Sequence, residues 1–374
     1  MGESTKDLSG LTIGLDLGDV DTHCCVLDEN GSKIEESRVK TTQGALKNRF
    51  ESMKPSRIAL EAGTHSGWVS RLLKTFGHEV LVANPRKLRL IYENNQKNDA
   101  ADAEYLARVG RMDPKLLAPI EHRDAKTQAD LAVLRSRDEL VQTRTKLINH
   151  VRGLVKAMGG RIPSMSSATF GSKAESSVPN ELRAAVSPVI EVIRGLTQQI
   201  RRYDQWVKET AEQRYPETGW LNQVSGVGPL TSLAYILTLE KPERFSNSRK
   251  VGAFLGLRPK QAQSGNQDPQ LRISKAGDGY LRRLLVGSAH YILGPFGSEC
   301  DLRTWGQKLA ARGGKTAKKR AVVAVARKLA VLLHRLWVSR AVYEPKRIKR
   351  PPSRAPSAAA GSRSSLEVTA AAGA

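Results

Sequence analysis

The chain has 374 residues, with 60 Lys and Arg against 37 Asp and Glu, a formal charge of +23 and 40% hydrophobic residues. That apolar content on that length excludes wholesale disorder and suggests two or three domains, while the cation excess points to a polyanionic partner. No stretch is long and apolar enough for a membrane span, Met1 to Gly10 has no hydrophobic signal region, and Cys24, Cys25 and Cys300 lack zinc-site spacing, so membrane insertion, secretion, disulfides and structural zinc are not expected.

The first hundred residues alternate strands with helices. Leu11 to Leu17 is a short apolar strand, and Cys24 to Asp28 with Lys33 to Thr41 flank the turn Glu29-Asn30-Gly31 as a hairpin, which makes the opening strands antiparallel. Ala45 to Met53 reads as a helix, Arg57 to Leu60 as a buried strand running into Glu61-Ala62-Gly63, Ser66 to Phe76 as a helix and Glu79 to Ala83 as a strand. Once strands and helices alternate, right-handed crossovers make the later strands parallel, giving a mixed sheet with helices on both faces. From Asp124 the pairs Val133/Leu134, Leu140/Val141, Leu147/Ile148 and Leu154/Val155 recur at heptad spacing, with Arg135, Arg137, Arg144, Lys146, Arg152 and Lys156 off the stripe. A Ser/Gly-rich segment, 164–177, reads as a loop. A second helix carries Val186, Val189, Ile190, Ile193, Leu196, Ile200 and Tyr203 on one face, so the two helices form a hairpin or a dimer seam. Trp220 to Val342 reads as a compact, mostly helical unit, and the Pro/Ser/Ala-rich tail as disordered.

Asp16 ends the first strand, Glu61 closes the fourth, and Asp99 and Asp102 open the helix running through Tyr105, Leu106 and Val109. Strand ends on one side of such a sheet share a crevice. Four carboxylates there match the acid set of a ribonuclease H-like fold, in which two Mg²⁺ ions roughly 4 Å apart serve phosphoryl transfer. Asp99 as a helix cap and Asp102 as a first-turn acid are the structural alternative for that pair. An actin-like ATPase also opens on Gly-x-Asp-x-Gly, but it requires further Gly-rich phosphate loops, which this sequence lacks.

Leu15-Asp16-Leu17-Gly18, Leu60-Glu61-Ala62-Gly63, Val82-Ala83-Asn84-Pro85 and Lys97-Asn98-Asp99-Ala100-Ala101-Asp102-Ala103 resemble the RuvC-like DEDD domain of transposases of the insertion sequence 110 family. The second half is similar to that family too, through Val224-Ser225-Gly226-Val227-Gly228-Pro229, Arg244-Phe245-Ser246, Phe254-Leu255-Gly256-Leu257-Arg258-Pro259, Ser264-Gly265, Ile273-Ser274-Lys275-Ala276-Gly277 and Tyr280-Leu281-Arg282-Arg283-Leu284-Leu285. The resemblance implies an α/β plus α architecture. A RuvC-like domain occupies 10–118, a helical, coiled-coil arm 119–215, a serine-bearing transposase domain 216–343 and a basic tail 344–374. It further implies a DNA recombinase, in the prokaryotic cytoplasm at the nucleoid, that moves its own element. Asp16, Glu61, Asp99 and Asp102 then bind Mg²⁺, and a serine forms a phosphoserine link to cut DNA. An element-encoded bridge RNA pairs with target and donor DNA, and the enzyme works as a dimer or tetramer in which the serine of one copy completes the acid site of another.

Ser264 is the expected nucleophile, since it aligns with the family's Ser-Gly and Gly265 permits close approach to a phosphate; Ser246, Ser248 and Ser274 are the alternatives. Gly226-Val227-Gly228-Pro229 resembles a helix-hairpin-helix turn, whose amides hold phosphate without reading sequence. Between Arg303 and Arg350 fifteen Lys and Arg face one acid, Glu344, which marks Lys315, Lys318, Lys319 and Arg320, with Arg282 and Arg283 of the family motif, as expected nucleic-acid contacts. His23, His65, His78 and His290 show no ligand spacing and read as structural, and Trp206, Trp220, Trp305 and Trp337 as core anchors. Two competing readings remain: a Holliday-junction resolvase that uses the acids and water only, and a non-catalytic nucleic-acid-binding protein.

Overall fold

The computed structural model describes residues 8–88, 98–265, 267, 269, 271–314 and 316–346. Lys97, Lys315 and the expected disordered tail beyond residue 346 lie outside them. The chain divides into two compact units, 1–132 and 133–374.

The first unit carries β1 (Thr12–Leu17), β2 (Asp21–Leu27), β3 (Lys33–Lys40), α1 (Gln43–Phe50), β4 (Arg57–Glu61), α2 (Ser66–Thr75), β5 (Glu79–Ala83), α3 (Pro85–Leu88) and α4 (Asp99–Met112). Its sheet has the order β3-β2-β1-β4-β5. The hairpin side is antiparallel and β4 and β5 run parallel to β1, so the expected mixed sheet is present. Alternation sorts the side chains. Ile13, Leu15, Cys24, Val26, Ile58 and Leu60 meet Leu46 and Phe50 of α1 and Val69 and Leu73 of α2 on one face. Cys25, Leu27 and Ala59 meet Ala103, Leu106, Ala107 and Val109 of α4 on the other.

Small residues let α4 lie flat on the sheet. A Cβ on Gly14 would strike the carbonyl oxygen of Ala103 and the amide of Ala107, and one on Gly110 would lie 3.0 Å from Ala59 Cβ. The helix therefore runs antiparallel to β1, with Gly110 beside Thr12 and Ala103 and Ala107 beside Gly14. One more helical turn, about 5–6 Å, matches two more strand residues and carries the N-terminus of α4 to the level of Asp16.

α5 (Ala125–Ala157) crosses from the first unit into the second, which continues with α6 (Ser167–Lys173), α7 (Arg183–Arg214), α8 (Thr218–Asn222), α9 (Pro229–Leu239), α10 (Arg249–Phe254), α11 (Gly279–Leu293), α12 (Asp301–Ala310) and α13 (Ala317–Ser339). α5 and α7 pair as an antiparallel hairpin. Arg137 Nε donates to Asp204 Oδ1 at 2.7 Å and Arg144 Nη1 to Thr197 Oγ1 at 3.3 Å, while Ile148, Val151 and Val155 share a core with Val186, Ile190 and Ile193. That half of the heptad stripe is thus covered by the chain itself.

The loop expected at 164–177 is corrected: it contains α6. Ser166 Oγ accepts from the Thr169 amide, Phe170 and Ala174 are fully buried in the α5/α7 core, and Arg152 stacks over the Phe170 ring. Ser/Gly composition hid one aromatic anchor. Farther on, α9 is buried from Thr231 to Leu239, and the Tyr235 hydroxyl donates to the Ala330 carbonyl of α13 at 2.7 Å.

Candidate active site

The sheet register builds the acid site. Asp16 lies opposite His23 of β2, and His23 opposite Arg38 of β3. In parallel register Leu15 pairs with Leu60, which puts Glu61 beside Asp16 on the next strand. Asp16 follows Gly14 on the α4 face and Glu61 follows Ala59 on the same face, because alternate strand residues share a side. Asp99 and Asp102 start α4 directly above. Asn98 caps that helix by accepting from the Ala100 amide, so Asp99 is not spent as the cap.

The electrostatics report the same convergence. Half-buried Asp16 is pushed up to about 6, first by burial and then by the charges of Asp99, Asp102 and Glu61, with His23 pulling the other way. Like charges cannot all ionise at short range without a counter-charge. Among the described residues, no group of three or more His, Cys, Asp or Glu is close enough to hold a metal ion. Asp16 feels the charges of the other three, but the four are not drawn into one coordination sphere. Their chemistry is that of a hard-cation site.

His23 and Arg38 are the neighbours that sequence reasoning passed over. Arg38 Nε donates to His23 Nε2 at 3.1 Å, and the same nitrogen stands 3.8 Å from Asp99 Oδ2. It cannot serve both at once: it accepts from Arg38 as a lone pair and pairs with Asp99 only when protonated. The signal was available, because the tight connection at Gly18-Asp19-Val20 places residue 23 opposite residue 16 and the hairpin closed at Asn30-Gly31 places residue 38 opposite residue 23. His78, by contrast, is a buried tie, with Nδ1 accepting from the Ser56 amide and Nε2 against the Phe50 carbonyl.

In the second unit Ser264 lies near the tip of a ribbon. Pro259 bridges Ile273, Lys260 N donates to Arg272 O, and Ser264 and Gln267 exchange backbone hydrogen bonds around Gly265 at φ 53°. The ribbon root is fixed by two glycines. A Cβ on Gly256 would strike Ala276 backbone and one on Gly277 the Phe254 carbonyl. The Ser264 hydroxyl is exposed and has no hydrogen-bond partner among the described residues. Ser248 differs: its hydroxyl meets Nδ1 of buried His334 at 2.9 Å, while Nε2 donates to the Pro242 carbonyl at 3.0 Å. Burial holds His334 below its usual range, so the ring is a neutral acceptor for the serine proton. The pair is 86 residues apart in sequence, and nothing local announces it. Ser246 is exposed, and Ser274 Oγ accepts from the Ala276 amide.

The basic candidates divide by what already occupies them. Arg282 Nη1 donates to the carbonyls of Leu255 and Ala276, pinning the ribbon root. Arg283 donates to Asp138 at 2.6 Å and lies over the Tyr280 ring. Lys318, Lys319 and Arg320 are exposed on the first turn of α13. Gly228 stands open at the N-terminus of α9, with space where a Cβ would be, whereas Gly226 packs against Ser288 and Tyr291 of α11. Of the four tryptophans read as core anchors, Trp337 is buried, and Trp206, Trp220 and Trp305 are half-buried.

Comparison with known proteins decides the family. A family model described as "Transposase", for the DEDD domain of IS110 elements, matches residues 13–159, and one described as "Transposase IS116/IS110/IS902 family" matches residues 219–295. A Sinorhizobium fredii protein named as a transposase (y4pF/y4sB) is 30% identical over 312 residues, covering 81% of this chain and 78% of that protein. The chain belongs to the IS110 family of transposases. The transposase for insertion sequence element IS1111A of Coxiella burnetii is 28% identical over 349 residues, covering 91% of this chain and 92% of that protein. This transposase is therefore an enzyme that binds, cuts and rejoins DNA, which sets aside the non-catalytic reading. Among the described residues, no helix is long and apolar enough to cross a membrane.

Proposed function

We propose that this transposase recombines the DNA of its own insertion sequence under the guidance of an element-encoded bridge RNA, with Asp16, Glu61, Asp99 and Asp102 holding Mg²⁺ and Ser264 as nucleophile. The observation that carries the acid assignment is the rise of Asp16 to about 6, first through burial and then through the charges of Asp99, Asp102 and Glu61. Bound Mg²⁺ supplies Lewis acidity for phosphoryl transfer. The strand order and the acids at the carboxyl edge of β1 and β4 support a RuvC-like reading of 10–118. The arm 119–215 and the transposase domain 216–343 complete the proposed division. We take the cytoplasm, at the nucleoid, as the place of action. The working form is a homo-oligomer, dimer or tetramer, in which serine and acids come from different copies, as the family resemblance implies.

In the chemistry, the Ser264 oxygen attacks a backbone phosphorus, its proton is taken up by a base, and the departing sugar oxygen is protonated as the phosphoserine bond forms. Exposure at the tip of a ribbon lets the hydroxyl reach a phosphate. Ser248 is the second reading, favoured by its hydrogen bond to His334 and by the neighbouring Arg249 and Lys250. The deciding experiment incubates protein with labelled target and donor DNA and the element's RNA, denatures, and looks for DNA that remains attached. Ser264→Ala is expected to abolish the adduct and Ser248→Ala to keep it. The reverse result moves the nucleophile to Ser248, and cleavage with no adduct in any serine variant makes water the nucleophile.

A further inference from the structure

At the root of the Ser264 ribbon lies a groove of about 380 Å³ whose walls include Arg258, Pro259, Lys260, Leu271 and, from α13, Arg327. Arg258 and Lys260 flank Pro259, but Arg327 comes from a distant helix, which is why no local run announced the groove. None of its lining residues is acidic, and none of the three cations has a carboxylate partner among the described residues.

Each cation is aimed by structure. Arg258 Nη2 donates to Gln261 Oε1 at 2.7 Å, and its carbonyl accepts from the Ser274 amide at 2.8 Å, so the base of its side chain is fixed to both arms of the ribbon. Lys260 is locked by its amide to Arg272 O at 2.9 Å. Arg327 lays its stem along Gly252 of α10, where a Cβ would come within 3.1 Å of its Cγ. Unpaired cations on a fixed frame, with exposed proline and leucine walls, suit phosphates flanked by sugars rather than a carboxylate ligand.

We propose that this groove seats backbone phosphates of the DNA strand beside the cleaved position. The inference deepens the reading of Ser264 as nucleophile and rests on it for the identity of the strand. Lys260 is four residues from Ser264, at most roughly 13 Å of extended chain, which corresponds to about four base steps of duplex. A strand lying in the groove therefore passes the ribbon tip within a few nucleotides. The guide RNA is the competing occupant, and adjacency to the serine favours DNA.

The test combines Arg258→Gln, Lys260→Gln and Arg327→Gln in the full chain and measures duplex DNA binding against salt, binding of the bridge RNA alone, and covalent adduct against DNA concentration. The three side chains are exposed, and circular dichroism with a thermal melt checks the fold. The slope of log affinity against log salt is expected to fall by up to about 2.7. The adduct is expected to drop at low DNA and recover at saturating DNA, with RNA binding unchanged. Lysine at positions 258 and 327 in place of glutamine restores most of the slope, since a point charge suffices for counterion release. An unchanged slope overturns the groove, as does a loss confined to RNA binding. Ser264→Ala run alongside keeps the two readings separable: it removes the adduct with the slope intact if the serine assignment holds, and an adduct surviving in it fails the serine while the slope of the triple variant still decides the groove.

Discussion

Asp16 sits where two requirements of the proposed Mg²⁺ site collide, since holding a cation there needs it ionised, yet it faces three other carboxylates from a half-buried position. A carboxyl raised from 3.8 to about 6 contributes its stability fully below pH 3.8, where both folded and unfolded chains are protonated, and loses it as pH climbs through 6. The full shift corresponds to roughly 3 kcal/mol, which solvent screening of a half-exposed group reduces to about 1–2 kcal/mol. In EDTA, Asp16→Asn should therefore melt at the same temperature as the parent near pH 3.5 and higher than it at pH 7, with cleavage lost and nucleic-acid binding retained. Equal melting temperatures at pH 7 would mean that the carboxylates do not share a field.

Helix α4 is the element that brings Asp99 and Asp102 to the edge where Asp16 and Glu61 lie, and Gly14 is the residue that lets it approach. Gly14→Ala drives a methyl into the Ala103 carbonyl and Ala107 amide, so the helix must lift or tilt. Overpacking against backbone should cost about 3 kcal/mol or more, and it should lower Asp16 towards the ordinary carboxylate range as Asp99 and Asp102 withdraw; an unfolding curve and a carboxylate titration by NMR check the two effects together. α13 shows the opposite economy. Lys318, Lys319 and Arg320 occupy its first turn, where the helix dipole repels cations. Replacing all three with Gln should stabilise the fold by a few tenths of a kcal/mol to about 1 kcal/mol per charge, yet reduce the salt slope of duplex binding by up to about 2.7. Lower stability with an unchanged slope would assign these residues to packing.

At the scale of the whole chain, two compact units predict two unfolding events. A ligand stabilises only the unit that binds it, by about 2.7 kcal/mol at one hundred times its dissociation constant. Calorimetry with Mg²⁺ should raise the transition of the unit containing β1 to α4 and leave the helical one in place, and the rise should vanish in Asp16→Asn. A shift of both transitions, or of the helical one alone, would remove the ion from the four carboxylates. The charge of +23 sets a further expectation. Affinity for any duplex should fall steeply and linearly on a logarithmic salt scale, because most of the attraction is released counterions.

The sequence by itself determined what is local. Hairpin turn chemistry at Asn30-Gly31, strand alternation and the periodicities of 3.6 and 2 located β1 to β5 and the helices α1, α2 and α4, and with them the positions of Asp16, Glu61, Asp99 and Asp102 at element ends. The register that carries His23 and Arg38 to the row of Asp16 comes from the structure, where β2 begins at Asp21, while the sequence pattern begins that strand at Cys24 and reads His23 as structural. Tertiary structure decided what depends on pairs distant along the chain. The burial of Phe170 turned a Ser/Gly-rich stretch into α6, the Gly14 contact set the height of α4, and the choice between hairpin and dimer for α5 and α7 was made by which apolar faces lay within reach. The same holds for Ser248 with His334 and for Arg258, Lys260 and Arg327 around one groove. Propensity and pattern act over a few residues, whereas a hydrogen bond across 86 positions exists only once packing has fixed both ends.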